Sequence, residues 1–386
     1  MSAHQRVPLW EVAPAQSARA ERPKIGPVWS LGLEHIESGT GTILTRNVVE
    51  PEELGSSTHA FTDEHVLYSK LRPNLNKVAL PDTGGWCTTE LLPLIPDPAR
   101  LDRRYLAHYL KSFEFVSWAT SRTDGAKMPR VKMDELRAHL IPLPSLPEQK
   151  RIATLLDKAD AIRRKRNEAL TLADEFLSSV FLDLFGDPVA NPKGWPKDSL
   201  GNLGTLDRGK SRHRPRDEPA LYGGSHPFIQ TGDVANCDGI VRQYTQTYSD
   251  LGLSQSRKWP AGTLAITIAA NIGKTGILGF DACFPDSVVG FTGKPPVSAE
   301  FIQFWLGQIQ NRLEETAPQS AQKNINLEIL RDLPVPIPTD GLLKKFTTIV
   351  QRTRQSKLRQ ESLLKESDLL FGSIQQRAFN GQLATS

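Results

Sequence analysis

No run in the 386 residues approaches the roughly 18 to 20 apolar side chains that a membrane-spanning helix needs, so no membrane partner is expected. The opening MSAHQRVPLWEVAPAQ has no basic cluster followed by an apolar stretch, so no secretory leader is expected and the cytoplasm is the default compartment. Only three cysteines occur, Cys87, Cys237 and Cys283, far apart and without a CxxC pair. They read as buried small hydrophobes in a reducing compartment. The eight histidines form no HExxH pattern, so neither zinc catalysis nor a zinc finger is supported. Gly273-Lys274-Thr275 has the ending of a phosphate loop, but Ile268 stands where the first glycine belongs. The polar-Pro-Pro-aromatic tetrapeptide of amino-group methylation is also missing; Lys294-Pro295-Pro296-Val297 comes nearest and lacks the aromatic. Carboxylates are plentiful without a pattern that assigns acid and base roles, which leaves a loosely patterned nuclease open as a lesser alternative.

Charge of one sign is scarce too. Lysine and arginine total 47 against 43 acidic residues, a net charge of +4. The excess falls in residues 339–386, where 8 basic side chains face 4 acidic ones, while 1–146 hold 17 of each. Any phosphate-facing surface on the larger segments must come from local clustering, because phosphate responds to the nearby field rather than to the total.

What the sequence does have is internal duplication. LYSKLRPNLNKV and LAITIAANIGKT share Leu67/Leu264, Asn74/Asn271 and Lys77/Lys274 at an offset of 197. Cys87 and Glu90 answer to Cys283 and Asp286 at 196, and Leu106, Leu110 and Phe113 to Ile302, Leu306 and Ile309. Leu136, Arg137, Pro142 and Pro144 match Leu330, Arg331, Pro336 and Pro338 at 194, so the offset shrinks only between elements, as loop deletions would make it. Each half reads as a mixed α/β (α+β) unit. Strand-like runs fall around Val66 to Tyr68, Leu91 to Ile95, Gly262 to Ile268 and Val288 to Phe291, followed by one amphipathic helix and a stiff proline-spaced exit.

Long helices are expected after each exit. From Glu148 a seam of Ile152, Leu155, Ala159, Ile162, Arg166, Ala169, Ala173, Phe176 and Val180 keeps a three-four spacing and stops at Gly186. Its roughly 37 residues correspond to a rod of about 55 Å. The second helix keeps the period at Phe346, Ile349, Leu363, Leu370 and Ile374, with polar residues between, and needs a partner. The first helix, antiparallel, is the economical one; two unrelated helices in a single core are the alternative. The expected organisation is therefore residues 1–146, a central helix over 147–187, a second domain over 188–338 and a final helix over 339–386.

The motif PLPSLPEQKRIATLLDKADAIRRKR resembles the helix-opening element of the specificity subunits of Type I restriction-modification enzymes. YSKLRPNLNKV, GAKMPRV, GWPKDSLGNLGTLDRGKS, PFIQTGDV and SIQQRAFNGQL agree with it over essentially the whole chain. The resemblance implies two target recognition domains, each reading half of a split, asymmetric duplex DNA site. It further implies helices that set their separation and dock two modification (methyltransferase) subunits, with nuclease/translocase restriction subunits beyond. No cofactor is implied on this chain; S-adenosylmethionine would belong to the modification subunits. Glu148 and Gln149 are the expected docking pair, and PIPTDGLLKKF does not repeat them. The first domain's opening segment finds no counterpart by sequence. A stand-alone DNA enzyme and a protein-binding scaffold are the competing classes. If a rod of this length lies along the duplex, half-site centres stand at most about 16 base pairs apart, and deleting about seven residues, one heptad, from the central helix should shorten the spacer alone.

Within that reading, RGKSRHRPRD places Arg208, Lys210, Arg212, Arg214 and Arg216 in a flexible loop suited to successive phosphates or to guanine. It also reads as a solvated loop balanced by Asp207, Asp217 and Glu218. SKLRPNLNK offers Lys70, Arg72, Asn74 and Lys77, and the second half Asn271 and Lys274; these serve equally as turn residues. The loops before the closing elements, GAKMPRVK and SAQKNIN, contribute Lys127, Arg130, Lys132, Gln322, Lys323 and Asn324.

Overall fold

Each half of the chain opens with a three-residue strand that pairs antiparallel with the proline-flanked strand closing the same half. Arg6–Pro8 pairs with Leu140–Pro142, and Lys197–Ser199 with Pro334–Pro336. The computed structural model describes residues 4–21, 24–55, 57–213, 215–269, 272–316 and 325–383. The chain forms two compact units, Met1–Glu168 with Glu361–Ser386, and Ala169–Gln360.

The opening pairing supplies the counterpart that the first domain's start lacks by sequence. Leu9 N donates to His139 O at 2.7 Å, and Leu200 N donates to Leu333 O at 3.0 Å. Both leucines are fully buried. VPLWEV and DSLGNL share one apolar anchor and a backbone register, and little else that a residue-by-residue comparison could detect.

The sheets repeat strand for strand. In the first unit a four-stranded sheet runs Asn47–Val49, Val28–Leu31, Gly85–Thr88, Thr58–Phe61, beside Val78–Ala79, Val66–Ser69, Leu91–Leu94. In the second, Gln246–Tyr248, Tyr222–Phe228, Ala282–Cys283 and Lys258–Trp259 take the same order as the first sheet. Thr275–Leu278, Leu264–Thr267 and Val288–Gly293 repeat the other, with Ile240–Val241 and Gly204–Arg208 added at its edges. Directions match as well. The inner pair of each four-stranded sheet is parallel and its flanking pairs are antiparallel, with Cys87 and Cys283 at the same register. Both of these thiols are buried and Cys237 is half-buried; all three are free. Burial pushes the Cys87 thiol up to about 12.

The helix that follows the sheets differs between the halves. In the second unit it is continuous, Ala299–Thr316. In the first it ends at Leu110 and restarts as Phe113–Ser121, because Ser112 Oγ accepts from Phe115 N at 3.3 Å and caps a new helix. Phe113, matched by sequence with Ile309, is consequently 85% exposed.

The long helices span Leu146–Phe185 and Asp340–Phe379, 40 residues each, or about 60 Å at 1.5 Å per residue. Pro147 sits in the first turn, where a proline removes no helical hydrogen bond. Gly186 ends the first helix in the left-handed region at φ 78°, and Lys193 Nζ and Trp195 Nε1 donate to the last carbonyls, Leu184 O and Phe185 O. In the first unit the two helix segments run antiparallel. Ile152 and Leu156 share a core with Ala378 and Phe379, and further along Arg163 Nε donates to Asp368 at 2.7 Å. In the second unit the same sense holds, with Phe181 and Phe185 against Phe346 and Lys357 on Asp174 at 2.7 Å.

The expected seam needs correcting in detail. Ile152 and Phe346 are buried, Leu155 and Leu363 are half-buried, and Ile349 and Ile374 pack against their cores. Ile162, Phe176 and Leu370 are 51%, 50% and 60% exposed, and the buried face instead carries Ala153, Leu156, Leu177, Phe181 and Phe185. A strict three-four seam assumes that only the other helix is covered. Here each helix end is also held by a domain core, which selects the neighbouring face. Among the described residues no helix is long and apolar enough to cross a membrane.

Candidate nucleic-acid interface

Two of the loops singled out by sequence come together in the first unit. Strand Val66–Ser69 leads into a 3-10 turn, Pro73–Leu75, flanked by Arg72 and Asn76, both left-handed at φ 48° and 49°. Such backbone is uncommon outside glycine and asparagine and persists only where surroundings enforce it. Here they do. Arg72 N donates to Pro129 O at 2.7 Å, Val131 N to Lys70 O at 2.9 Å, and Leu71 bridges Arg130. SKLRPNLNK and GAKMPRVK are thus one surface, with Arg72, Asn74 and Lys127 exposed on it and Lys70 half-buried.

The remaining candidates of this unit have partners. Lys77 Nζ donates to Leu33 O at 2.7 Å from a half-buried position, so it holds a loop rather than facing outward. Lys132 lies 3.5 Å from Asp124. Arg130 is gripped by Glu90: Nε stands 3.1 Å from both carboxylate oxygens and Nη2 2.7 Å from one. That guanidinium holds the Glu90 carboxyl below its usual range.

In the second unit the basic segment is tied down, which corrects the expectation of a flexible loop. Gly209 N donates to Val288 O at 2.9 Å, Ser256 Oγ to Lys210 O at 2.8 Å, and Tyr222 Oη to Arg216 O at 2.6 Å. Gln255 Oε1 accepts from the backbone N–H of Arg212 and of His213. Gly209 is required by contact: a Cβ there would lie 2.2 Å from Phe284 O and 2.4 Å from Pro285 O. Arg208, Lys210 and Arg212 are exposed, with no ion pair among the described residues. Asp207 does not balance them. It takes Arg257 at 3.0 Å and Arg331 at 3.6 Å. Arg216 pairs with Asp286, its Nη2 at 2.9 and 3.1 Å from the two oxygens.

Lys274 is exposed, with Nζ 3.3 Å from Gln310 Oε1, and Gly273 before it is left-handed at φ 74°, as Asn76 is before Lys77. Ile325 N donates to Ile268 O at 3.0 Å, repeating the tie from Val131 to Lys70. Arg214, Asn271, Gln322, Lys323 and Asn324 lie outside the described residues.

The expected docking pair is placed otherwise than supposed. Glu148 pairs with Arg151 at 2.7 Å, one turn on. Gln149 is 0% exposed: Oε1 accepts from Asp102 N at 2.8 Å, and Nε2 donates to Arg100 O at 2.9 Å and Pro144 O at 2.8 Å. It anchors the helix to its own domain. Leu343, also fully buried, holds the matching place in the second helix, so an apolar contact there replaces the three hydrogen bonds. Sequence reasoning also passed over Glu90 and Asp286 as contacts; their recurrence was legible, their arginine partners were not.

The profile of the family described as Type I restriction modification DNA specificity domain matches this chain twice, over residues 36–172 and 192–364. A Type I restriction enzyme EcoDI specificity subunit of Escherichia coli is 28% identical over 159 residues, 40% of this chain and 35% of that protein. The EcoBI specificity subunit of the same organism is 22% identical over 329 residues, 74% of this chain and 66% of that one. The chain thus spans about a third to two thirds of the length of these relatives. Among solved structures, the S subunit of a Type I restriction-modification system from M. genitalium aligns over 97% of this chain and 96% of its own, at 14% identity and a TM-score of 0.63. A chain from a structure concerning complex assembly and conformational transition of the type I R-M system aligns over 99% of each, at 20% identity and a TM-score of 0.61. These likenesses show the fold.

Proposed function

Because the chain belongs to the Type I restriction modification DNA specificity family, whose homologues are noncatalytic specificity subunits, we propose that each of its two units reads its own part of a split duplex DNA site. One observation carries this reading. The same strand order and the same tie between the sheet loop and the closing element occur in both units, while the exposed polar side chains lie on different elements: Arg72, Asn74 and Lys127 on the tied loops of the first, Arg208, Lys210 and Arg212 at and after the end of strand Gly204–Arg208 in the second. Like scaffolds with unlike polar surfaces fit two readers of unlike half-sequences, since base edges are told apart by donor and acceptor pattern.

The chain supplies recognition and its partners supply chemistry. Two modification subunits would bind S-adenosylmethionine and methylate, and restriction subunits would cleave or translocate. The exposed Ile162, Phe176 and Leu370 on the helices are available to such partners, whereas Gln149 is not. The test is methylome sequencing of cells with and without this gene. Loss of a two-part adenine-methylation motif is expected; an unchanged methylome, or methyl transfer to DNA by the purified chain alone, overturns the reading. A protein-binding scaffold would show no DNA preference even with modification subunits present.

A further inference from the structure

Glu90 and Asp286 occupy equivalent places, each three residues beyond the matched cysteine of the inner strand. Each grips one arginine, but the arginines are not equivalent. Arg130 comes from the hairpin before the first unit's closing helix, and Arg216 from the segment after the second unit's opening strands. By the repeat, the position of Arg130 corresponds to Asn324. A contact kept only to hold the duplicated fold would join the same two positions in both copies. Here the carboxylate keeps its place while the arginine changes its origin.

We infer that Glu90 and Asp286 are positioning residues, each holding one arginine, Arg130 and Arg216 respectively, in a fixed pose for a guanine of that unit's half-site. This rests on the DNA-reading role proposed above. Glu90 takes the Nε–Nη2 side of Arg130 and Nη1 donates to Met128 O at 3.4 Å, which leaves one further hydrogen on each of Nη1 and Nη2. The Nη1–Nη2 end of a guanidinium is an edge that matches guanine O6 and N7. Asp286 engages only Nη2 of Arg216, so the Nε hydrogen and both Nη1 hydrogens, which lie on different edges of the guanidinium, stay outside the ion pair. The side chains are 43% and 49% exposed, open enough to meet a duplex and already restrained in rotamer. Restraint before binding removes an entropy cost that a free arginine would carry into the complex. The two arginines approach from different loops, so one scaffold can place its guanine contact at different steps in the two halves.

The test uses the full chain assembled with its modification subunits. The probes are duplexes carrying the motif found by methylome sequencing and every single-base-pair replacement of it, in competition binding. For R130A, discrimination at one G·C pair of one half-site should fall by about 5- to 150-fold. E90A should weaken discrimination at that same pair, the double variant should lose no more than R130A, and E90D should restore part of it. D286A and R216A should behave likewise at one pair of the other half-site. The salt dependence of the carboxylate variants should be unchanged. Equal loss across all replacements, with the salt slope of the arginine variants reduced by about 0.9, would assign the arginines to phosphate and overturn the inference, as would unaltered base preference. Absence of any two-part target for the unsubstituted complex would instead remove the role on which the inference stands.

Discussion

Replacing Gln149 separates an anchor from a docking contact. Its side chain satisfies one backbone donor, Asp102 N, and two acceptors, Arg100 O and Pro144 O, all from full burial. Each such bond contributes about 0.5–1.5 kcal/mol net, so Q149A should cost about 2–4 kcal/mol from the lost bonds. The space left behind raises this to roughly 3–5 kcal/mol. Q149L restores the volume and copies Leu343, yet leaves the same three backbone groups unsatisfied, and should still cost about 2–4 kcal/mol. With two units a single unfolding free energy is not well defined, so hydrogen exchange is the suitable assay. Amides over 100–106 and 144–153 should exchange faster in both variants, with peptides of the second unit, such as 298–306, as an internal reference. Unchanged exchange at these amides, together with weakened assembly with modification subunits, would refute the reasoning and return Gln149 to a docking role.

His139 lies against Trp118, with ring centroids 3.9 Å apart, and its Nε2 is 2.8 Å from Tyr109 Oη. Burial, with Arg6 adding to it, pushes its pKa from 6.5 down to about 4. The native state then binds fewer protons than the unfolded one between these values, so the first unit should lose stability as pH falls from about 6.5 toward 4. The effect should be on the order of 2 kcal/mol after screening; melting followed by tryptophan fluorescence should show H139Q flattening this dependence, and an identical profile would sink the assignment. G209A drives a Cβ into two backbone carbonyls, so it should displace the basic segment and lower DNA affinity even though no charge is removed, as measured by binding at fixed salt. Neutralising Arg208, Lys210 and Arg212 together should lower discrimination among base replacements within one half-site; a uniform loss on all duplexes with the salt slope reduced by about 2.7 would assign them to phosphate instead. Lys357, which joins Asp174 and Asp238 at 2.7 and 2.8 Å, should cost about 1 kcal/mol as K357M, because both carboxylates are half exposed. Urea melts at low and high salt should show that difference shrinking.

What the sequence made legible is what backbone periodicity records. The strands at Val66 to Tyr68 and Val288 to Phe291, the paired halves and the stop at Gly186 all follow from apolar spacing or from a glycine that must turn left-handed. The helix seam was legible in period but not in phase. Choosing between the face of Ile162 and that of Leu156 depends on the domain core beside the helix, which is a tertiary fact. Likewise Glu148 and Gln149 announced that a helix begins, and only the fold shows that the glutamine's three partners lie on its own domain.

The candidate site divides along the same line. Which loops meet is set by backbone ties from Val131 to Lys70 and from Ile325 to Ile268, and the repeated motifs mark both ends of those ties. Which charges remain available depends on ion pairs across many residues, and pattern alone favours Arg130, in the loop before the closing element, over Lys77 and Arg72. The fold separates them: Lys77 is spent on a carbonyl, Arg130 is held by Glu90, and Arg72 stands exposed on a left-handed backbone. A duplicated scaffold can therefore preserve its backbone ties and its carboxylate site while its arginines move among loops. Recognition is then expected to diverge between the halves at fixed fold, and the base-replacement profiles of E90A and D286A should differ in the position affected while agreeing in kind.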